Sequence, residues 1–310
     1  MTWSGVSLES GRVVVVGDIN LDIIAFHPEF PSEGGEELAR KAFIRHGGSA
    51  ANVAHALAML RAGVSMVGCV GDDLFGSILV DGLAKAGVEV SSIQKTDKDV
   101  TGIVYIVVTK AGERTMLAYR GANTQLSQSQ IDKGLIQGAD AVHFSGYSFL
   151  EGQQRRTALW ILEQISDKTC IKTADMCIPL AKRTKNIKKI LKQFDFVFIN
   201  VQEFGIIARI ERIHSVKKLA SVWGCGIVLK MGRKGCMIVT DKGEVVKVKA
   251  KRVKPVDTTG AGDAFAAGFI HELMQGSPLE KCGRKAVELG ALASTTVGGR
   301  LCKVFLPRRK

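Results

Sequence analysis

The sequence predicts an α/β fold, a three-layer α/β/α sandwich with a mostly parallel central sheet and a small β-sheet lid added to it. Three observations carry that prediction. Continuous β-branched or apolar runs recur along the chain, as strands buried on both faces of a parallel sheet require. Stretches of helical length separate them, and this alternation argues for repeated βα units with helices on both faces. Two stretches, residues 25–46 and 100–120, break the alternation and carry turn residues instead.

Residues 13–16 are four valines followed by Gly17 and Asp18, a strand that stops at a loop. Gly47 and Gly48 then open a helix over 49–61, followed by a strand at 64–70 and a helix at 73–86. Residues 101–108 and 114–119 read as a hairpin around Lys110, Ala111, Gly112 and Glu113. Strands at 141–144, 170–174, 196–199 and 226–231 alternate with helices at 152–166, 182–192 and 214–222. Residues 247–256 are strand-like, and residues 264–274 are good helix formers. The stretch 25–46, with Pro28, Pro31, Gly34 and Gly35, would complete a small sheet with the hairpin. Its pieces come from separated parts of the chain. The expected organisation is therefore a single domain over 1–310 with a lid formed discontinuously by about 25–46 and 100–120. Ligands are expected at the carboxyl ends of the strands of the main sheet.

At 310 residues and 46% hydrophobic side chains, the chain can bury a sizeable core. Lys and Arg number 43 against 30 Asp and Glu, a formal net charge of +13, which raises an anionic ligand or nucleic acid as partners. The densest basic runs are residues 182–189 on an expected helix, 247–254 on an expected strand, and Arg308, Arg309 and Lys310. Aromatic residues are only 6% and do not interleave with these runs, so they read as solvated surface, and no nucleic-acid partner is expected. Seven cysteines include no Cys-x-x-Cys pair, which points to reduced core thiols and a cytoplasmic protein. No run of about 18 apolar residues and no basic-then-apolar leader occurs, so neither a membrane span nor a signal peptide is expected.

The chemistry concentrates at Asp257-Thr258-Thr259-Gly260-Ala261-Gly262-Asp263-Ala264-Phe265. Gly260, Ala261 and Gly262 should form a helix entrance whose free N–H groups and dipole attract an anion. Asp263 is anomalous there. It either caps the helix or accepts a proton from a hydroxyl attacking a bound phosphate. No Walker A sequence occurs, Phe265 stands where a dinucleotide fingerprint needs glycine, and zinc-protease, hydrolase-elbow and protein-kinase motifs are absent. Nearer the amino terminus, Asn20 and Asp22 follow the first strand, and Gly47-Gly48-Ser49-Ala50-Ala51-Asn52 opens a helix. Asp22 and Asn52 could hold the hydroxyls of a polyol.

Residues 47–54 and the downstream Gly68 to Gly76 segment, together with 257–265, closely resemble the two signature segments of the ribokinase-like (PfkB) carbohydrate kinases. The resemblance runs from about residue 12 to 300 and includes Asn123, Asn200-x-x-Glu203 and Lys230-Met231-Gly232-Arg233-Lys234-Gly235. It implies an ATP-dependent kinase that phosphorylates a hydroxyl of a small sugar or related polyol. Asp263 would be the general base, and the backbone of Gly260, Ala261 and Gly262 the anion hole. Asn20, Asp22, Gly48 and Asn52 would contact the acceptor. Asn200, Lys230, Gly232 and Gly235 would serve the nucleotide, and Glu203 a water-rich Mg²⁺. Asp257 and Thr259 match the monovalent-cation loop of several members, which makes K⁺ a candidate. A lid would exclude water so that ATP is not merely hydrolysed.

Acceptor identity is less determined. Ser49 stands where many ribokinases carry Lys, and Asp175-Met176-Cys177 departs from the Asp-x-Asn-x-Arg pattern of many fructokinase relatives. A nucleoside kinase of the same family is the alternative, with Phe43, Phe144 and Tyr147 as candidate walls for a base. A non-catalytic sugar- or nucleotide-binding regulator is the alternative of a different class. A homodimer paired through the lid sheet is the expected assembly.

Overall fold

The computed structural model describes residues 11–110, 114–165 and 169–301. The chain begins with β1 (Arg12–Val16), β2 (Asn20–Phe26), β3 (Lys41–Gly47), α1 (Ser49–Met59) and β4 (Gly63–Gly71). Next come α2 (Leu74–Lys85), β5 (Ile93–Thr96), β6 (Gly102–Val108) and β7 (Arg114–Tyr119). The middle runs through α3 (Lys133–Gln137), β8 (Ala141–Phe144), α4 (Gly152–Gln164), β9 (Ile171–Asp175), α5 (Ile178–Ala181) and α6 (Lys188–Leu191). The rest is β10 (Phe196–Asn200), α7 (Val201–Glu211), α8 (Val216–Trp223), β11 (Gly226–Lys230), β12 (Cys236–Val239), β13 (Val245–Val248), α9 (Ala261–Met274) and α10 (Leu279–Ala293).

The main sheet has the order β13-β12-β11-β10-β9-β8-β1-β4-β5. Its strands from β11 to β5 pair in parallel, and β12 and β13 add an antiparallel edge. The packing of β1 explains its four consecutive valines. Val13 and Val15 pack into one core with residues of α1, α9 and α10, while Val14 and Val16 pack into the opposite core with residues of α4 and α8. All four are fully buried, as a strand covered on both faces should be.

A second sheet has the order β3-β2-β6-β7, with β2 parallel to β6 and the other pairs antiparallel. It begins at Asn20, five residues before the expected boundary at 25, because the chain passes from β1 into β2 within a few residues. Asn20 and Asp22 therefore belong to this small sheet, with Asn20 in register with both Gly47 and Gly102.

Other expectations change. The expected helix over 182–192 is broken: α5 ends just before it at Ala181, a 3₁₀ turn covers Thr184–Asn186, and the short α6 follows. Pro179 lies in the first turn of α5, and Thr184 is fully buried at the break, so packing overrides the local preference. The strand-like run 247–256 is strand only through Val248. Its partner β12 starts at Cys236, which pairs with Val248, so no ladder remains for the following residues. Helices α7 and α10 were not among the expected elements. The hairpin tip at 111–113, Cys302 and the basic residues 308–310 lie outside the described residues.

No helix among the described residues is long and apolar enough to cross a membrane. Cys69, Cys177, Cys225, Cys236 and Cys282 are buried free thiols, and Cys170 is buried as well. Burial alone pushes Cys69 up to about 11, which makes it an inert core residue.

Candidate active site

The glycine-rich segment enters α9 as the sequence predicts. Gly260 is the N-cap at φ +70°, and a side chain there would overlap the Gly299 carbonyl. Only glycine suits both constraints. Ala261 is not a free donor, because its N–H reaches the Thr258 carbonyl at 3.3 Å. The amides of Gly262 and Asp263 are the ones that helix geometry leaves without an acceptor.

Helix α1 supplies the second half of the site and packs against α9. Gly48 is its N-cap at φ +91°, and a side chain would run into the Asp18 carbonyl. The turn aims the first residues of α1 at Asp263. Ser49 Oγ donates to Asp263 Oδ1 at 3.0 Å, and Asn52 Nδ2 donates to Oδ2 at 2.8 Å. Burial and the neighbouring Asp175 raise the Asp263 pKa to about 6, against the lowering effect of Asn52, Lys230 and Ser49. Asn52, expected to touch the acceptor, also gives an amide hydrogen to Asp263. Ser49 was read only as a departure from the ribokinase pattern, yet it touches the same carboxylate.

Asp22 lies on β2 over this arrangement and is buried. Burial first and Asp263 second push its pKa up to about 7, with Arg300 opposing. Gly47, which pairs with Asn20 on the neighbouring strand β3, must lack a side chain because a Cβ would overlap the Asp22 carboxylate. Asn20 is less available. Its Oδ1 accepts from Nδ2 of fully buried Asn123 at 2.8 Å, which in turn accepts from the Ile19 N–H at 2.8 Å.

Beneath the α9 entrance lies a buried polar chain that the sequence reading missed in part. Lys230, at the end of β11, donates to Asp175 Oδ1 at 2.6 Å, and His143 Nε2 lies 3.5 Å from Asp175 Oδ2. His143 Nδ1 is 2.9 Å from Thr173 Oγ1. Burial works against the charge on Lys230, but Asp175 and Glu203 outweigh it and raise its pKa. An added Cβ on Gly262 would come within 3.3 Å of Lys230 Nζ, so the ammonium borders the entrance. Asp175 ends β9, a strand terminus in a parallel sheet. That position was the available signal.

Asn200 and Glu203 form a reciprocal capping box at the start of α7. The Asn200 side chain accepts from the Glu203 N–H at 2.8 Å, and Glu203 Oε2 accepts from the Asn200 N–H at 2.8 Å. Asn-x-x-Glu before an apolar run is a capping-box spacing, so the sequence also carried this structural reading. Burial raises the Glu203 pKa to about 7, with Lys230 opposing. Among the described residues, no three His, Cys, Asp or Glu side chains group as a metal cluster. Gly232 and Gly235 bracket a 3₁₀ turn after β11 at φ +54° and +92°. Gly232 faces open space, whereas a side chain at Gly235 would overlap the Val248 carbonyl.

Asp257 and Thr259 come together, but with a cationic side chain already between them and the small sheet. Arg114 Nη1 lies 2.8 Å from Asp257 Oδ1 and 2.9 Å from Thr259 Oγ1. Of the aromatic candidates, Phe144 is excluded from a ligand wall because it is fully buried against Phe149 and Phe194. Phe43 stacks under Lys41 and Arg45, and half-buried Tyr147 lies under Arg120.

A helix entrance with free amides, a half-buried carboxylate on it and a second acidic side chain above suit the phosphotransferases that act on an alcohol group. Residues 10–304 match the pfkB family carbohydrate kinase, and the chain belongs to that family. It is 31% identical over 290 residues to an ATP-dependent ribose-1-phosphate kinase of Halopiger xanaduensis, covering 93% of this chain and 94% of the relative. It is 27% identical over 305 residues to a ribokinase of Haemophilus influenzae, covering 96% of each. The crystal structure of a ribokinase from Thermotoga maritima superposes with a TM-score of 0.80 at 25% identity, over 93% of this chain and 94% of that one. The three-layer fold with its small additional sheet is therefore that of the ribokinase-like kinases, and the protein is a sugar- or nucleoside-kinase family phosphotransferase.

Proposed function

We propose that the protein transfers the γ-phosphoryl group of ATP to a hydroxyl of a small sugar or related polyol, with Asp263 as general base. One observation carries this reading. The Asp263 carboxylate stands at the α9 entrance, fixed by Ser49 and Asn52, with a pKa raised to about 6, which suits proton abstraction near neutral pH. Asp22 would hold an acceptor hydroxyl and orient it toward Asp263. The amides of Gly262 and Asp263, with the Lys230 ammonium beside them, would stabilise charge on the phosphoryl oxygens. The nucleotide base would lie in the groove lined by Val248, Lys249, Ala250, Lys251, Arg284 and Val287. Asn200, Gly232 and Gly235 would shape the path of its phosphates.

Glu203 and Asp175 are single carboxylates near Lys230, and the buried Asp175 Oδ2 has His143 Nε2 at 3.5 Å and no nearer hydrogen-bond donor. Such a set fits Mg²⁺ held through water and substrate phosphates, where the ion supplies charge neutralisation. The small sheet would act as a lid that excludes water from the transfer. Its face turned away from Asp22 exposes Ile44, Leu117 and Tyr119, and a homodimer paired on that face would cover them. Buried thiols accord with a reducing cytoplasm.

The test is a screen of pentoses, hexoses, ketoses and nucleosides for phosphorylation by MgATP in potassium buffer. Sugar phosphorylation is expected, nucleoside preference would favour the alternative substrate class, and inactivity with every acceptor would favour a non-catalytic regulator. With the best acceptor, Asp263→Ala should lower turnover at least about a hundredfold while circular dichroism still reports a folded chain. Near-wild-type transfer by that variant would remove Asp263 from the mechanism.

A further inference from the structure

The loop ahead of α9 contains its own cation. Asp257 has both carboxylate oxygens engaged: Oδ1 accepts from the Thr259 N–H at 2.9 Å, Thr259 Oγ1 at 2.7 Å and Arg114 Nη1 at 2.8 Å, and Oδ2 accepts from the Gly298 N–H at 2.9 Å. The other guanidinium nitrogen, Nη2, donates to Thr258 Oγ1. One planar, permanently charged fork thus spreads its donors over three consecutive residues of the loop. The ion pair is partly shielded, with side-chain exposures of 26% for Arg114 and 10% for Asp257.

These contacts conflict with the monovalent ion that the family resemblance assigns to Asp257 and Thr259. An ion on the same two oxygens would stand within contact distance of the guanidinium, and like charges so close in a partly shielded site repel strongly. The side chains of Asp257 and Thr259 therefore do not fit an added cation while Arg114 is seated. We propose that Arg114 is a tethered cation that replaces the monovalent ion, ordering the entrance to α9 and making phosphoryl transfer independent of K⁺. The proposal rests on the kinase reading of this loop. Arg114 is a positioning residue, since it acts through Asp257.

The location of Arg114 adds a consequence. It opens β7 in the small sheet, whereas Asp257 belongs to the loop that enters α9. The same carboxylate also binds Gly298, next to the Gly299 carbonyl that packs against Gly260. Seating the small sheet thus delivers positive charge to the loop that shapes the anion site. An ion from solvent would carry no such link.

The test compares wild type, Arg114→Ala and Arg114→Lys in KCl and in tetramethylammonium chloride at equal ionic strength. Wild-type turnover should agree within about twofold between the salts. Arg114→Ala should lose at least about tenfold in tetramethylammonium, and K⁺ or low guanidinium chloride should recover most of that loss. Arg114→Lys should be intermediate. A purely structural role would lower activity without creating K⁺ or guanidinium dependence. Melting temperature supplies a readout that does not need turnover: K⁺ should raise it for Arg114→Ala and leave wild type unmoved. A tenfold K⁺ activation of wild type, a K⁺-dependent rise in its melting temperature, or full activity of Arg114→Ala without K⁺ would overturn the proposal. If wild type phosphorylates no acceptor, the kinase reading fails by itself, and the melting comparison still decides whether Arg114 stands in for the ion.

Discussion

Asp263 could have been an ordinary first-turn carboxylate, and from its own segment a helix-favouring acid was the lesser alternative to a base. Its environment separates the two. A first-turn acid in solvent would keep a low pKa, whereas burial and Asp175 raise this one to about 6. The rate of transfer should therefore rise with pH through about 6, as the carboxylate loses its proton. Ser49 stabilises the charged form through its hydroxyl. Replacing it with alanine should shift that acid limb upward by about one to two pH units, since a hydrogen bond to a charged group is worth about 1.5–3 kcal/mol and one unit is about 1.4 kcal/mol. A pH profile of kcat/KM for Ser49→Ala checks this, and an unmoved limb would place the hydroxyl outside the control of Asp263. Neither Ser49 nor Asn52 could be assigned to Asp263 from the sequence, because more than 200 positions separate them.

At the scale of elements, the helix entrances do most of the positioning. Gly48 and Gly260 hold left-handed conformations that bring α1 and α9 to one point. Both glycines were legible, since paired glycines ahead of an apolar helix have few other uses. The start of α7 was read as a phosphate and magnesium element, and it is also a capping box. Asn200→Ala should therefore cost about 1 kcal/mol of stability whatever its effect on nucleotide binding. Urea denaturation without ligands measures that loss, and an unchanged midpoint would mean that the cap is energetically silent. The misread stretch at 182–192 has a physical cause. Its basic residues suit a helix, but the burial of Thr184 between α5 and α6 is a tertiary event that local propensity does not encode.

For the whole molecule, the relation between the two sheets is decisive. Asp22 rides on the small sheet and Asp263 on a helix of the main layer, so packing the sheets together places two acids in one another's field. Asp22 has a folded pKa of about 7, raised chiefly by burial and then by Asp263, against an ordinary value of 3.8. Its contribution to stability is thus complete below about pH 4 and is lost as pH rises through about 7. Asp22→Asn mimics the neutral form. It should melt a few degrees above wild type at pH 8, with the difference shrinking toward pH 5. A difference that grows on acidification would contradict the assigned shift.

The sequence by itself determined the βα rhythm, the two glycine-rich helix entrances and the family, because buried strands need continuous apolar runs and close backbone approaches need glycine. These are local requirements, written in neighbouring residues. The tertiary structure decided which side chains meet: Ser49 and Asn52 on Asp263, Asp175 on Lys230, and Arg114 on Asp257. Each pairing joins residues far apart in the chain. Its energy depends on burial and distance, and both exist only once the layers are packed.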